Sequence, residues 1–337
     1  MKWRQRHRTA PLFTALLAGI SLTAVACGGG TAAPPVDAPP ASPHTAAERA
    51  ATLNWLAKTN QMWTKDDFSA LSQVTTAEMG TVYQAEEHQA ATAKTSSRRA
   101  FQLTGLSITV PCHRGGAAIF VAYGDTDVFT LGQGMQPQAL VFERAGGRWK
   151  LAAAVNRPGS SGWPALCRQG TPAAASAVLT PGSYAPDLAR VLTHAQTGAR
   201  ATTAAAAPFA LNGFLSGSGS ITAQAATQIR KDRSGGVAFS GRFTQVPDPT
   251  FALPLANGRG YWLVGFLTQS NTYSSPAGLR KAAWPDGNPV AKPRPPVVHH
   301  ETETFITTYA AIDPLRSAGR TVTLDGFFGW PLTAHAS

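Results

Sequence analysis

The residues best placed to do chemistry lie late in the chain, in His299-His300-Glu301-Thr302-Glu303. On a strand, His299, Glu301 and Glu303 share one face and could offer one imidazole and two carboxylates to a zinc ion. The favoured alternative is a polar strand start after a proline-rich loop, its charged residues facing water. His300 and Glu303 do not make the helical HExxH pattern. Asp125-Thr126-Asp127 could begin a cation site, yet it lies between strands and lacks the later ligands of a calcium loop, which favours a turn role. A nucleophilic serine would need GxSxG or SxxK. Gly159-Ser160-Ser161-Gly162 and Gly217-Ser218-Gly219-Ser220 have neither spacing. Glu86-Glu87-His88 is expected on the exposed side of a helix. Trp284, in a proline-rich loop, is either a contact residue or a lid folded over the C-terminal half, with the lid favoured. No catalytic or cofactor motif emerges, so no cofactor is expected.

The three cysteines carry more information. Lys2, Arg4, Arg6 and Arg8 precede an uncharged stretch, Leu12 to Val25, the layout of a signal peptide. Its apolar run, about 14 residues, is short for a bilayer span, which needs roughly 20. Ala24-Val25-Ala26-Cys27 resembles the lipobox of bacterial lipoproteins, departing from it at Ala24, where leucine is commoner. The resemblance implies removal of residues 1–26 and a diacylglycerol, with palmitate-type chains, on the Cys27 thiol. Ala24-x-Ala26 also satisfies ordinary signal cleavage, so free secretion stays open. Residues 27–44 are mostly Gly, Ala and Pro with one acid, Asp37, and hold too little apolar surface to fold; a disordered tether is expected. Cys112 and Cys167 are an even pair in an oxidising compartment and read as a disulfide. Such a link would stabilise the fold by about 4 kcal/mol in chain-entropy terms. The alternative, a redox or metal pair, lacks CxxC spacing and a histidine partner.

Beyond the signal the chain carries 25 Lys and Arg against 18 Asp and Glu, a charge of +7. That suits an anionic envelope surface or wall polymer and bears on association, not on fold. The basic residues are scattered, and no nucleic-acid partner is expected of an exported protein.

These residues must be positioned by what remains, roughly 290 residues, more than one usual core and enough for two domains. Thr45-Ala46-Ala47-Glu48 reads as a capping box. A helix follows with Leu53, Leu56 and Trp63 inward, then a short helix around Asp66 to Leu71, then one from Thr76 to about Ala93 with Met79, Val82, Tyr83 and Ala90 inward. After Arg99 the period becomes two, with a bulge expected at Gly105. A central strand is expected at Ile119 to Tyr123, and a hairpin at Ala139 to Val155 around Ala145-Gly146-Gly147. The pattern restarts beyond residues 171–181, rich in Ala, Pro and Ser. A helix at Tyr184 to Gly198 is expected there, then strands Ser220–Arg230, Gly236–Val246, Gly260–Tyr273, His300–Ile312 and Arg320–Phe328. The expectation is therefore an α+β protein of two lobes, 45–170 and 182–337, joined by linker 171–181, each with helix preceding an antiparallel meander.

Three helices followed by a meander closed by the Val141 to Leu151 hairpin resemble the nuclear-transport-factor-like or cystatin-like cone, a curved sheet wrapped on a helix. With the lipobox and tether, the two lobes resemble a family of uncharacterised actinobacterial lipoproteins, which has no established activity to carry over. The cone hosts enzymes, binding modules and assembly parts alike. The leading expectation is a non-enzymatic lipoprotein on the outer face of the membrane, binding an envelope protein or an anionic or apolar ligand. An envelope hydrolase or isomerase with a cavity site, and a lipid or glycolipid carrier, are the alternatives.

Overall fold

In the computed structural model the described residues are 45–92, 100–112, 118–130, 134–156, 162–168, 209–210, 234, 236–246, 251–279, 298–314 and 322–336. The signal, the tether, linker 171–181, the expected helix Tyr184–Gly198 and the expected strand Ser220–Arg230 lie outside them.

Three helices come first: α1 (Ala46–Lys65), α2 (Leu71–Val74) and α3 (Ala77–Thr92). α1 contains neither Gly nor Pro, has Glu48 in its first turn and Lys65 in its last, and so agrees with the helix dipole at both ends. It stops at Asp66, which takes a left-handed conformation (φ 55°) and returns its N–H to Met62 O. The expected capping box is corrected: Thr45 is the N-cap residue, but its side chain makes no capping hydrogen bond. Of the expected inward residues, Trp63 is buried and Leu56 packs half-buried against the core, and only Leu53 is corrected. The buried stripe is Thr52, Trp55, Thr59, Met62 and Trp63, whereas Leu53 is 48% exposed. Two threonines can sit in that stripe because their hydroxyls are satisfied. Thr52 donates to Glu48 O at 2.9 Å, and Thr59 pairs with the Tyr83 hydroxyl at 2.8 Å. Burial raises the Tyr83 pKa, so this phenol stays protonated. Residues 67–70 form no helix; Asp67 accepts the Ser69 N–H in an Asx turn, and the Ser69 hydroxyl first and its N–H second lower the Asp67 carboxyl pKa. α3 buries Met79, Val82 and Tyr83 as expected.

The first sheet is antiparallel in sequence order: β1 (Leu103–Thr109), β2 (Ile119–Thr126), β3 (Gln136–Ala145) and β4 (Arg148–Asn156). Its β1–β2 register shifts between Thr104 and Ser107, placing the bulge at Gly105. Ala145 pairs with Arg148, so Gly146 and Gly147 (φ 59° and 78°) alone make the turn. Two consecutive positive φ values define the tight primed hairpin, which a Gly pair adopts without strain. In β4, Leu151 to Asn156 are all buried, so the expected period of two disappears. The helices cover one side, where Thr76 N–H donates to Leu151 O, and the second sheet covers the other.

That second sheet contains β5 (Phe209–Ala210), β6 (Ala238–Gln245), β7 (Phe251–Pro254), β8 (Gly260–Leu279), β9 (Val298–Pro314) and β10 (Val322–Ala336). Its order is β5-β10-β9-β8-β6, with β7 also on β8. β6 pairs with residues 267–274 of β8 and β7 with 261–264, so the two share one edge of β8, interrupted between them. All pairings are antiparallel except the two-residue β5 beside β10. β10 runs through Pro331, where the register shifts before Thr333; the bulge accommodates a residue with no N–H to give.

The described fold is thus α+β, with helices preceding two sheets that exchange no strand. Their apolar cores are nevertheless continuous. Trp262, Val264, Phe266, Ile306, Ala310 and Trp330 of the second sheet pack in one cluster with Trp55, Phe129, Phe142 and Val155. The closest approach is at Gly326 of β10, where an added Cβ would lie 2.7 Å from Val155 Cγ1 and 3.1 Å from Asn156 O. A methyl there must displace the buried Val155 side chain and press on the Asn156 carbonyl. Gly326→Ala is therefore expected to cost about 1–3 kcal/mol, read by urea unfolding; a loss below about 0.5 kcal/mol, the range of ordinary surface changes, would show that the sheets do not meet so closely. Among the described residues no helix is long and apolar enough to cross a membrane.

Candidate functional site: a strapped cleft between the sheets

The segment 162–168 ties the two sheets together. On one side Cys112 N–H donates to Cys167 O at 2.9 Å, and Pro111 pairs with Arg168. On the other, Cys167 N–H donates to Pro254 O and Ala256 N–H to Ala165 O, each at 2.8 Å. The expected disulfide joins Cys112 to Cys167, with Cα atoms 5.3 Å apart, within the span a disulfide permits. Seven residues without a helix or long strand of their own thus become a fixed strap.

Under the strap is a cleft of about 430 Å³, lined by Ser107 and Thr109 of β1, Tyr123 of β2, Trp163 to Arg168, and Ala256. The β1 bulge sets the register that places Ser107 directly opposite Tyr123, and Thr109 follows two residues on, on the same face. Trp163 is half-buried and held by two rings, Tyr123 at 5.5 Å and Trp262 at 6.1 Å with planes inclined by 67°. Trp262 is fully buried in the second sheet. The cleft therefore presents a braced indole, two hydroxyls and, at Arg168, an exposed guanidinium. This lining equips it to stack a flat or ring-shaped group, hydrogen-bond it and attract negative charge.

His299, Glu301 and Glu303 do share a face of β9, but of the three only His299 faces water as expected. Glu301 and Glu303 are 2% and 1% exposed, and β8 sets Tyr273 and Asn271 across from them. The expected period of two is right; the face is covered because this sheet is buried on both sides, with Phe239, Phe243, Phe305 and Tyr309 also buried there. His299 is exposed, its Nδ1 3.1 Å from Ser275 O. Among the described residues no group of three or more His, Cys, Asp or Glu is arranged to hold a metal.

The expected placement of Asp125-Thr126-Asp127 between strands is corrected: Asp125 and Thr126 are the last two residues of β2, paired with β1 and β3, and only Asp127 lies in the turn that follows. Asp127 Oδ1 accepts the Gln102 N–H at 2.8 Å, and Thr126 Oγ1 accepts the Val128 N–H. Glu86 is corrected from exposed to buried, at 6%, because it continues the Met79–Val82–Tyr83 stripe by one helical turn. Cys27 and Trp284 lie outside the described residues.

Sequence reading did not find the cleft. The signal it offered was an aromatic next to a proline, Trp163-Pro164, four residues before a bonded cysteine; the same signal at Trp284 drew attention elsewhere. No family model, no curated protein and no solved structure matches this chain.

Proposed function

We propose that the protein is a lipid-anchored envelope lipoprotein that binds a ligand in the strapped cleft without transforming it. Its fold in this reading is two cone-like lobes, 45–170 and 182–337, held off the outer face of the membrane by the tether from Cys27. The observation that carries the binding reading is the braced Trp163 in a half-open cleft whose lining supplies rings, hydroxyls and a guanidinium. Its volume lies within the roughly 300–1,000 Å³ of small-molecule sites. The disulfide and the strap's three main-chain hydrogen bonds fix the wall before a ligand arrives, so little ordering is left to oppose binding.

The test is a photo-crosslinking amino acid placed at Ser107, an exposed position at the cleft, in intact cells. Irradiation is expected to give an adduct with an extracytoplasmic component. The same amino acid at exposed Arg259, in the turn before β8, is expected to give none. Absence of an adduct at Ser107, or equal labelling at both positions, contradicts the proposal.

A further inference from the structure

Resting on the reading of the cleft as a ligand site, we propose that its ligand is an anionic saccharide, a sugar unit bearing carboxylate or phosphate. A pyranose presents a face of C–H groups, slightly positive, to a slightly negative aromatic face. Trp163 lines the cleft, half-buried and braced by ring contacts with Tyr123 and Trp262, and can supply such a face. Ring hydroxyls of the sugar need donors and acceptors at the same level, and Ser107 and Thr109 project from one face of β1 beside the Tyr123 ring. Arg168 at the strap's end gives a planar fork that matches a carboxylate or phosphate in two-point geometry. The lining contains no carboxylate to repel such a ligand, and the charge of +7 beyond the signal draws polyanions toward the surface.

Other ligand classes fit less well. A lipid tail gains by burying many methylenes, at about 0.8 kcal/mol each, and wants an aliphatic tunnel. Here the aliphatic lining is limited to Ala165, Leu166, Pro164 and Ala256, and the cleft is half-open. A bare anion would use Arg168 and leave the indole without a role.

The chain from residue 28 onward is titrated with trigalacturonate, cellotriose and 8-anilinonaphthalene-1-sulfonate, following tryptophan fluorescence at low and high salt. Trigalacturonate is expected to bind saturably, at least ten-fold more tightly than neutral cellotriose. Arg168→Gln should bring the two saccharides to similar affinity and remove the salt dependence. Trp163→Ala should weaken both more than ten-fold. Because Trp163 also packs, Ser107→Leu serves as the second variant: its side chain is exposed, the fold should survive, and both saccharides should weaken at least five-fold. Equal affinity for the two saccharides in the parent protein, or saccharide binding indifferent to Ser107→Leu, overturns the anionic-saccharide proposal. If only the naphthalene sulfonate binds, and Ser107→Leu abolishes it, the cleft stands as a ligand site and the saccharide class falls. If no probe responds to Ser107→Leu, the cleft reading falls too.

Discussion

Replacing Cys27 with alanine is expected to move the protein from the membrane fraction into the soluble extracytoplasmic or secreted fraction. The argument starts from four basic residues, an uncharged stretch too short to span a bilayer, and a thiol directly after Ala24-Val25-Ala26. The segment that follows, residues 28–44, is mostly Gly, Ala and Pro, with Val36 its one large apolar residue. In the proposed reading, attachment rests on the lipid alone. One acyl chain binds a bilayer only marginally, whereas two chains on a diacylglycerol anchor stably, at about 0.8 kcal/mol for each buried methylene. Loss of the thiol should therefore be all-or-none in fractionation. A Cys27→Ala protein of mature size that stays with the membrane would show that something else holds it, and ordinary secretion of the parent protein would show that Ala24-x-Ala26 is a plain cleavage site.

Phe129→Ala is expected to destabilise the protein by about 3–5 kcal/mol, the largest loss for one side chain in the described core. Phe129 is 1% exposed and sits at φ 58°, a left-handed conformation that bulky residues avoid. It is held there because the turn from Asp127 to Thr130 is caught on every side. The Gln138 amide donates to Val128 O, Asn156 donates to Phe129 O at 3.3 Å, and the Thr130 hydroxyl donates to Asp127 O at 3.1 Å. The ring then touches three others: Trp55 of α1 at 6.5 Å, Tyr83 of α3 at 4.8 Å and Trp330 of β10 at 6.3 Å. One side chain thereby joins two helices, the first sheet and the second. Alanine keeps the Cβ and hence the backbone strain, and leaves a cavity among rings that cannot collapse without moving whole elements. Trp330→Ala should cost a similar amount, and the pair should be non-additive by more than about 0.5 kcal/mol, as for residues in contact. Additivity within that margin would separate the two sheets energetically and deny the shared core.

What the sequence revealed and what it hid follow from the range of the interactions. Local patterns were readable: the Gly146-Gly147 turn needs only its own φ values, the Gly105 bulge only a change of register, and Met79-Val82-Tyr83 only a helical period. The disulfide was readable from compartment and parity. Part of the face of α1 was missed because Thr52 and Thr59 count as polar until Glu48 O and Tyr83, the latter 24 residues beyond Thr59, are known to satisfy them. β8 and β10 run longer than the reading of them because Pro276 and Gly278 in β8 and Pro331 in β10 look like strand breakers, the last until its bulge is seen. β7, Phe251-Ala-Leu-Pro, has too few residues to show a period. Glu301 and Glu303 look solvent-facing in sequence, since nothing local indicates that their face of β9 is covered. The cleft is the least legible feature of all: Ser107 and Tyr123 meet through the β1–β2 register, but Trp163 and Ala256 join them only through the disulfide and the pairing of Leu166 with Leu255.

Hydrogen exchange of the chain from residue 28 onward, with and without a detergent-solubilised envelope fraction, tests most directly the claim that the strapped cleft is where a ligand is held. The predicted result is slowed exchange of amides in 103–109, 119–126 and 162–168, with the amides of β10 unchanged. Slowing confined to the second sheet, or no change at the strap and β1, would contradict it.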